Sequence, residues 1–282
     1  MISDELIVRS LLTDHCSPVT SQQYILTSIA LEIQLVIICV VSFFAGFIDS
    51  IAGGGGLIQT PAILFLFPQY PVATLLGTTK IPSFSGTAVA TYQFSKKATI
   101  NPKLFLFLVP AAFAGSALGA WCITIIEDDF IKPVILALLV VVAVYTFLKK
   151  DFGSVKTKDV ELKKQIVAGT LFGFIIGFYD GMIGPGTGSF FILCFIFFLG
   201  FDFIAASANA KMLNLATNLS AIALFASTGN IIYRLAIPMA ICNMGGAYLG
   251  SKLALLKGNR FIRIFFLLVV TATIVRFAFE VF

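Results

Sequence analysis

Charge is what this chain has least of. Asp, Glu, Lys and Arg make up 12% of it, where a soluble domain carries roughly a quarter. So few ions cannot dress a solvated surface. The 59% apolar content and mean hydropathy of +1.00 point instead to lipid as the solvent. Histidine is nearly missing: His15 stands alone in a polar leading stretch with Asp4, Glu5, Arg9 and Asp14. That leaves no basis for a histidine-built metal centre or a catalytic triad. The five cysteines form no CxxC pair, and the four in apolar segments read as small buried hydrophobes. No period-two alternation between polar turns is visible, which excludes a transmembrane barrel. There is no GxxxxGK[ST], and no strand precedes Gly184-Pro185-Gly186-Thr187-Gly188, so neither a P-loop nor a dinucleotide turn is present.

What is present is a series of long apolar stretches from Leu31 to Phe282. They define an all-α polytopic membrane protein with about 8–10 transmembrane or re-entrant helices, each needing ~20 apolar residues to span. The expected segments are 31–52, 56–75, 77–95, 103–126 and 131–148 in a first half. In a second half they are 164–183, 187–200, 204–228, 231–255 and 260–281. A hydrophilic basic linker at 149–163 divides the two, and residues 1–30 form a polar tail, partly disordered or lying on the membrane surface. The tail lacks the basic, apolar, small-residue order of a cleaved signal peptide.

The halves are related. Gly46-Phe47-Ile48-Asp49-Ser50-Ile51-Ala52-Gly53-Gly54-Gly55-Gly56 recurs, at an offset of 131, as Gly177-Phe178-Tyr179-Asp180-Gly181-Met182-Ile183-Gly184-Pro185-Gly186-Thr187. Lys80 follows Asp49 by 31 residues, and Lys211 follows Asp180 by the same interval. Phe94/Phe225, Gly115/Gly246 and Gly119/Gly250 extend the match. Five segments per half is an odd number, so the two copies are expected to face opposite ways, as in inverted-repeat transporters. With the mid-chain linker in the cytoplasm, thirteen of the nineteen lysines and arginines fall on the cytoplasmic side and four on the other. By the positive-inside rule both termini then lie outside. The net charge of +5, spread over loops, bears on this orientation and not on nucleic acid.

The remaining two cations, Lys80 and Lys211, sit inside apolar segments. An ammonium there costs a few kcal/mol and is normally paired or faces water. Each reads either as a direct ligand of a small anionic substrate or as half of an ion pair, for instance Lys80 with Asp49 or Asp180. The two readings are compatible if substrate competes for the pair. Thr78/Asn209 and Ser83/Asn214 match at the same offset and set hydrogen-bonding side chains around each lysine. The runs Gly53, Gly54, Gly55, Gly56 and Gly184, Gly186, Thr187 cannot continue a helix in lipid unless buried or lining a cavity. The N–H groups at the start of the next helix then suit an anion. Asp49 and Asp180 can hold a coupling ion, fix the lysines or cap the breaks. Gly169, Gly173, Gly177 and Gly181 form a smooth helix face that suits close packing, within the bundle or between copies in a homo-oligomer.

At these residues the chain resembles the TauE/SafE family of membrane transporters. The resemblance rests on AGFIDSIAGGGGLIQTPAIL at 45–64, GTTK at 77–80, GFYDGMIGPGTGSF at 177–190 and NAKMLN at 209–214. It implies a non-enzymatic, multi-pass permease of the bacterial inner membrane with no cofactor, handling sulfite, sulfoacetate or other organosulfur anions, often as an exporter. By matching position it carries the site to the Asp–Gly–Lys elements of both halves. Pro185 and Thr187 stand where the first copy has Gly54 and Gly56, so the half-sites need not be equivalent. An anion channel using the same lysines is the alternative reading.

Overall fold

The computed structural model describes residues 21–96, 102–127 and 160–281. The expected segment 131–148, most of the basic linker and the first twenty residues lie outside them. Every regular element among the described residues is an α-helix. In chain order they are α1 (Ser21–Ala52), α2 (Gly56–Leu66), α3 (Val72–Ser95), α4 (Pro102–Ile125), α5 (Leu162–Met182), α6 (Thr187–Phe197), α7 (Phe203–Ser227) and α8 (Tyr233–Val281). The chain divides into a short leading unit ending at Ile37 and a large unit, Ile38–Phe282. All that follows concerns the large unit.

Three boundaries differ from expectation. Helix is already formed from Ser21, within the stretch read as a polar tail. The second segment closes at Phe67–Pro71, as its prolines and polar residues 68–71 suggest, so its edge lies short of residue 75: Pro68 and Pro71 cannot donate the backbone bonds that would continue α2. The last two expected segments form one helix of 49 residues. Lys257 to Arg260 interrupt the hydropathy but carry no proline, and polar side chains do not break a helical backbone.

Helix α1 from Leu31, α4 and α5 are long and apolar enough to cross a membrane, while α2 and α6 have eleven residues each and are too short. Polarity is distributed as lipid demands. Phe65, Leu106, Val167 and Ile241 are more than 60% exposed, whereas Thr78, Lys80, Asp180, Asn209 and Lys211 are buried. Interior polar groups with an apolar surface invert the pattern of a soluble protein.

The offset of 131 recurs in the helices. Gly56/Thr187, Val72/Phe203 and Pro102/Tyr233 are corresponding first residues, and Leu66/Phe197 are corresponding last residues. Packing repeats as well. A Cβ on Gly115 or Gly119 would strike the carbonyl of Phe174 or Phe178 on α5; one on Gly246 or Gly250 would strike the carbonyl of Phe43 or Phe47 on α1. Gly177 against Ala112 and Gly46 against Asn243 complete the correspondence. Gly169, Gly173, Gly177 and Gly181 all face α4 of the same chain, so this smooth face is filled internally. The four described cysteines are free, with Cys194 buried and Cys39, Cys122 and Cys242 partly so.

Candidate functional site: two helix breaks around a buried lysine

Each break begins where a glycine turns the backbone left-handed. Gly53 has φ 78° and Gly184 φ 93°, conformations that residues with a Cβ rarely adopt. The turn at Gly53 still lets its N–H reach the Asp49 carbonyl at 2.8 Å. At Gly184 the N–H instead reaches back to Tyr179, 3.2 Å away. That shift frees the Asp180 carbonyl.

Lys80, on α3, takes the freed group. Its Nζ donates to the Asp180 carbonyl and lies 3.2 Å from Asp180 Oδ1. Lys211, on α7, donates to the Asp49 carbonyl at 3.1 Å and stands 5.2 Å from the centre of the Phe94 ring. Each lysine therefore serves the aspartate of the other half. The aspartates differ in their side chains. Asp49 Oδ1 accepts from the Gly55 N–H at 3.2 Å, closing its own break. Asp180 holds Lys80 through Oδ1, and its Oδ2 has no partner although the residue is buried.

The breaks meet. Ser189 donates from its N–H to the Gly53 carbonyl at 3.1 Å and from its hydroxyl to the Ala52 carbonyl at 3.0 Å. A Cβ on Gly53 would lie 2.5 Å from the Gly188 carbonyl carbon, and one on Gly188 would lie 2.7 Å from the Gly53 Cα. Within the second break, Thr187 Oγ1 donates to the Gly184 carbonyl at 2.6 Å, and Tyr179 donates to the Pro185 carbonyl at 2.7 Å. Backbone groups freed by the breaks are thus satisfied inside the protein, the condition for irregular chain at membrane depth.

Between them is a cavity of about 30 Å³, room for roughly two water molecules. Of the residues expected at the site, Asp49, Gly53, Gly56, Lys80, Ser83, Asp180, Gly184, Gly186, Thr187 and Asn214 line it. Lys211 does not; it lies behind Asp49. Gly54 and Gly55 belong to the first break without lining the cavity. Thr78 accepts from the Ile232 N–H at 3.0 Å and so anchors the entry to α8. Asn209 donates to Ala205 one turn back on α7.

Sequence reasoning missed Gln59, Thr60, Thr79, Thr87, Gly188 and Asn218, which also line the cavity. Thr87 and Asn218 are one helical turn beyond Ser83 and Asn214 and match at the offset of 131, so extending the comparison by four residues would have found them. Gln59 is buried, with its Oε1 held by Asn243 Nδ2 at 3.2 Å and its Nε2 without a partner. Its counterpart at the offset is Phe190, so the repeat gave no sign of it.

An all-helical chain with an apolar surface, a polar interior and two broken helices closing on a buried cation is a multi-pass membrane protein of transporter type. The family described as "Sulfite exporter TauE/SafE" matches residues 38–277, and the chain belongs to it. A Sinorhizobium protein named "Probable membrane transporter protein ORF9" is 36% identical over 86% of this chain and 91% of its own length. A Haemophilus influenzae "Probable membrane transporter protein" is 36% identical over 83% of this chain and 90% of its own. The Escherichia coli K12 "Probable membrane transporter protein YfcA" is 33% identical over 79% and 81%. No solved structure matches the chain.

Proposed function

We propose that this chain is a secondary transporter that moves a small anion across the bacterial inner membrane by alternating access. The observation that carries the reading is Lys80: a buried ammonium on a cavity framed by both helix breaks, with the first residues of α2 and α6, Gly56 and Thr187, on the same cavity. Lysine and helix N-termini together supply positive potential without an accompanying metal. The two halves are inverted copies with the mid-chain linker cytoplasmic and both termini outside, and they rock about the site. Lys80 contacts the anion, which competes with Asp180 for its Nζ. Lys211 holds the first break in shape. The family match makes sulfite or an organosulfonate the anion to test first.

The test is saturable counterflow in proteoliposomes with sulfite, methanesulfonate, sulfate and acetate. Counterflow by the wild-type protein that Lys80→Ala abolishes is expected. Unchanged anion flux in Lys80→Ala would remove the proposed ligand, and flux without saturation or counterflow would make the protein an anion channel.

A further inference from the structure

The site is electrically balanced before an anion arrives. Asp49, Asp180 and Lys80 line the cavity, and Lys211 stands behind Asp49: two carboxylates and two ammoniums. Among the described residues, the surroundings of Asp180 supply no further charge. From α3 comes Lys80, and from α1 comes Asp49. On its own helix the neighbour is Tyr179, whose hydroxyl is engaged by Pro185. Helix α4 meets Gly181 with the backbone of Ser116, and the charged Lys103 lies at the start of that helix. The second break and α6 bring Gly184 to Ser189, and α7 brings Asn214 and Asn218, none of which titrates.

Two residues that line this cavity each carry a buried oxygen without a partner: Asp180 Oδ2 and Asn218 Oδ1. Buried oxygens of this kind call for a missing hydrogen. An anion that draws Lys80 Nζ toward itself weakens its contact with Asp180 Oδ1, and leaves a net charge of minus one on a buried cavity with room for roughly two waters. Uncompensated buried charge is what protein interiors tolerate least. We infer that the anion is carried together with one proton, held on Asp180 Oδ2, so that the loaded site is neutral. This rests on the anion reading above and gives it a coupling ion. One monoanion and one proton enter, no covalent bond changes, and both leave on the other side. The protonated carboxyl is a donor, carrying the hydrogen that a buried carboxylate oxygen without a partner lacks. Intramembrane carboxylates serve as proton carriers for this reason.

The experiment uses the full chain in proteoliposomes, with radiolabelled methanesulfonate, a monoanion at every pH employed, and the membrane potential clamped by potassium and valinomycin. Wild-type protein is expected to accumulate the anion about tenfold for each unit of imposed pH difference, and to ignore the potential. In Asp180→Asn the pH response is lost and the remaining flux follows the potential, because each turnover now moves one net charge. Asp180→Glu restores the pH response. Wild-type exchange that ignores the pH gradient, or that is driven by sodium, would overturn the proton and leave the anion reading intact. A pH response lost in Asp49→Asn and kept in Asp180→Asn would move the proton to the other carboxylate and overturn the assignment. Absence of any exchange by the wild type would remove the anion reading itself. Should Asp180→Asn fail to fold, Asp180→Glu serves in its place: a pH dependence displaced from that of the wild type keeps the proton on residue 180, and an unchanged one would overturn the assignment.

Discussion

The two half-sites are built from the same residues at the same spacing, yet they do different things. Asp49 turns its carboxylate inward to its own break at Gly55, while Asp180 turns its carboxylate to Lys80 of the other half. Lys80 lines the cavity, whereas its counterpart Lys211 takes a backbone carbonyl and faces Phe94. The short helices differ too, with Gln59 on α2 where α6 has Phe190. Duplication supplies the scaffold, and divergence within it places one lysine on the cavity and the other on a backbone carbonyl behind it.

Mutations can break this comparison, beginning with the lysines. Lys80→Ala leaves Asp180 buried without a cation and should cost about 3–5 kcal/mol in stability, along with all anion-induced thermal stabilisation. Lys211→Ala takes the nearby cation from Asp49, but that carboxylate keeps the Gly55 N–H and its carbonyl keeps Gly53, so a smaller loss of about 1–3 kcal/mol is expected. Melting curves of both purified variants, with and without sulfite, read the difference. Equal losses would mean that the lysines are equivalent after all.

Within the first break the contrast is between adjacent glycines. Gly53→Ala combines left-handed backbone with a Cβ 2.5 Å from Gly188, and should cost about 2–4 kcal/mol. For Gly54→Ala the nearest atom is Leu57 Cδ1 at 3.6 Å, ordinary contact, and a change within about 0.5 kcal/mol is expected. Yield of monodisperse protein and its melting temperature separate the pair.

Gln59→Leu asks whether the polar face of α2 recognises the ligand. Removing an unpartnered Nε2 should leave stability within about 1 kcal/mol of wild type, since Asn243 alone loses a bond. Affinity for sulfite, by titrated thermal shift, should fall about tenfold, the effect of one lost hydrogen bond. Unchanged affinity would leave Gln59 a packing residue.

The smallest effect concerns helix starts. Asp202 caps α7 by accepting from the Ile204 and Ala205 N–H groups at 2.9 and 3.0 Å, while Pro71 before α3 makes no side-chain cap. Asp202→Ala should cost about 1 kcal/mol, seen as a small fall in melting temperature without change in sulfite affinity.

Much of this arrangement was legible in the chain. Hydropathy gave the helical membrane class, and the offset of 131 located both breaks and both buried lysines, because a backbone break must be spelled in glycine and an intramembrane cation stands out against apolar neighbours. The exchange of partners between halves was legible only as one of two options for Lys80, Asp49 or Asp180, and the structure selects Asp180. An interval of 31 residues says which lysine follows which aspartate, but three-dimensional packing decides which one it meets. Gln59 escaped for the opposite reason: its role comes from a difference between the halves, and a search for likeness passes over it. The junction at residues 257–260 was misplaced because a dip in hydropathy marks where lipid ends, not where hydrogen bonding along the backbone stops.

The bonds from Ser189 to Ala52 and Gly53, and from Lys211 to Asp49, also bear on how the protein is made. The acceptors are synthesised in the first half and the donors in the second. During translation the first break emerges into the bilayer with three carbonyls lacking those final partners, and it stays open until residues 189 and 211 have been added. Biogenesis is therefore a two-stage event, insertion of the first half followed by its closure on the second. The halves expressed as separate polypeptides would each be short-lived alone and would recover when produced together in the same membrane.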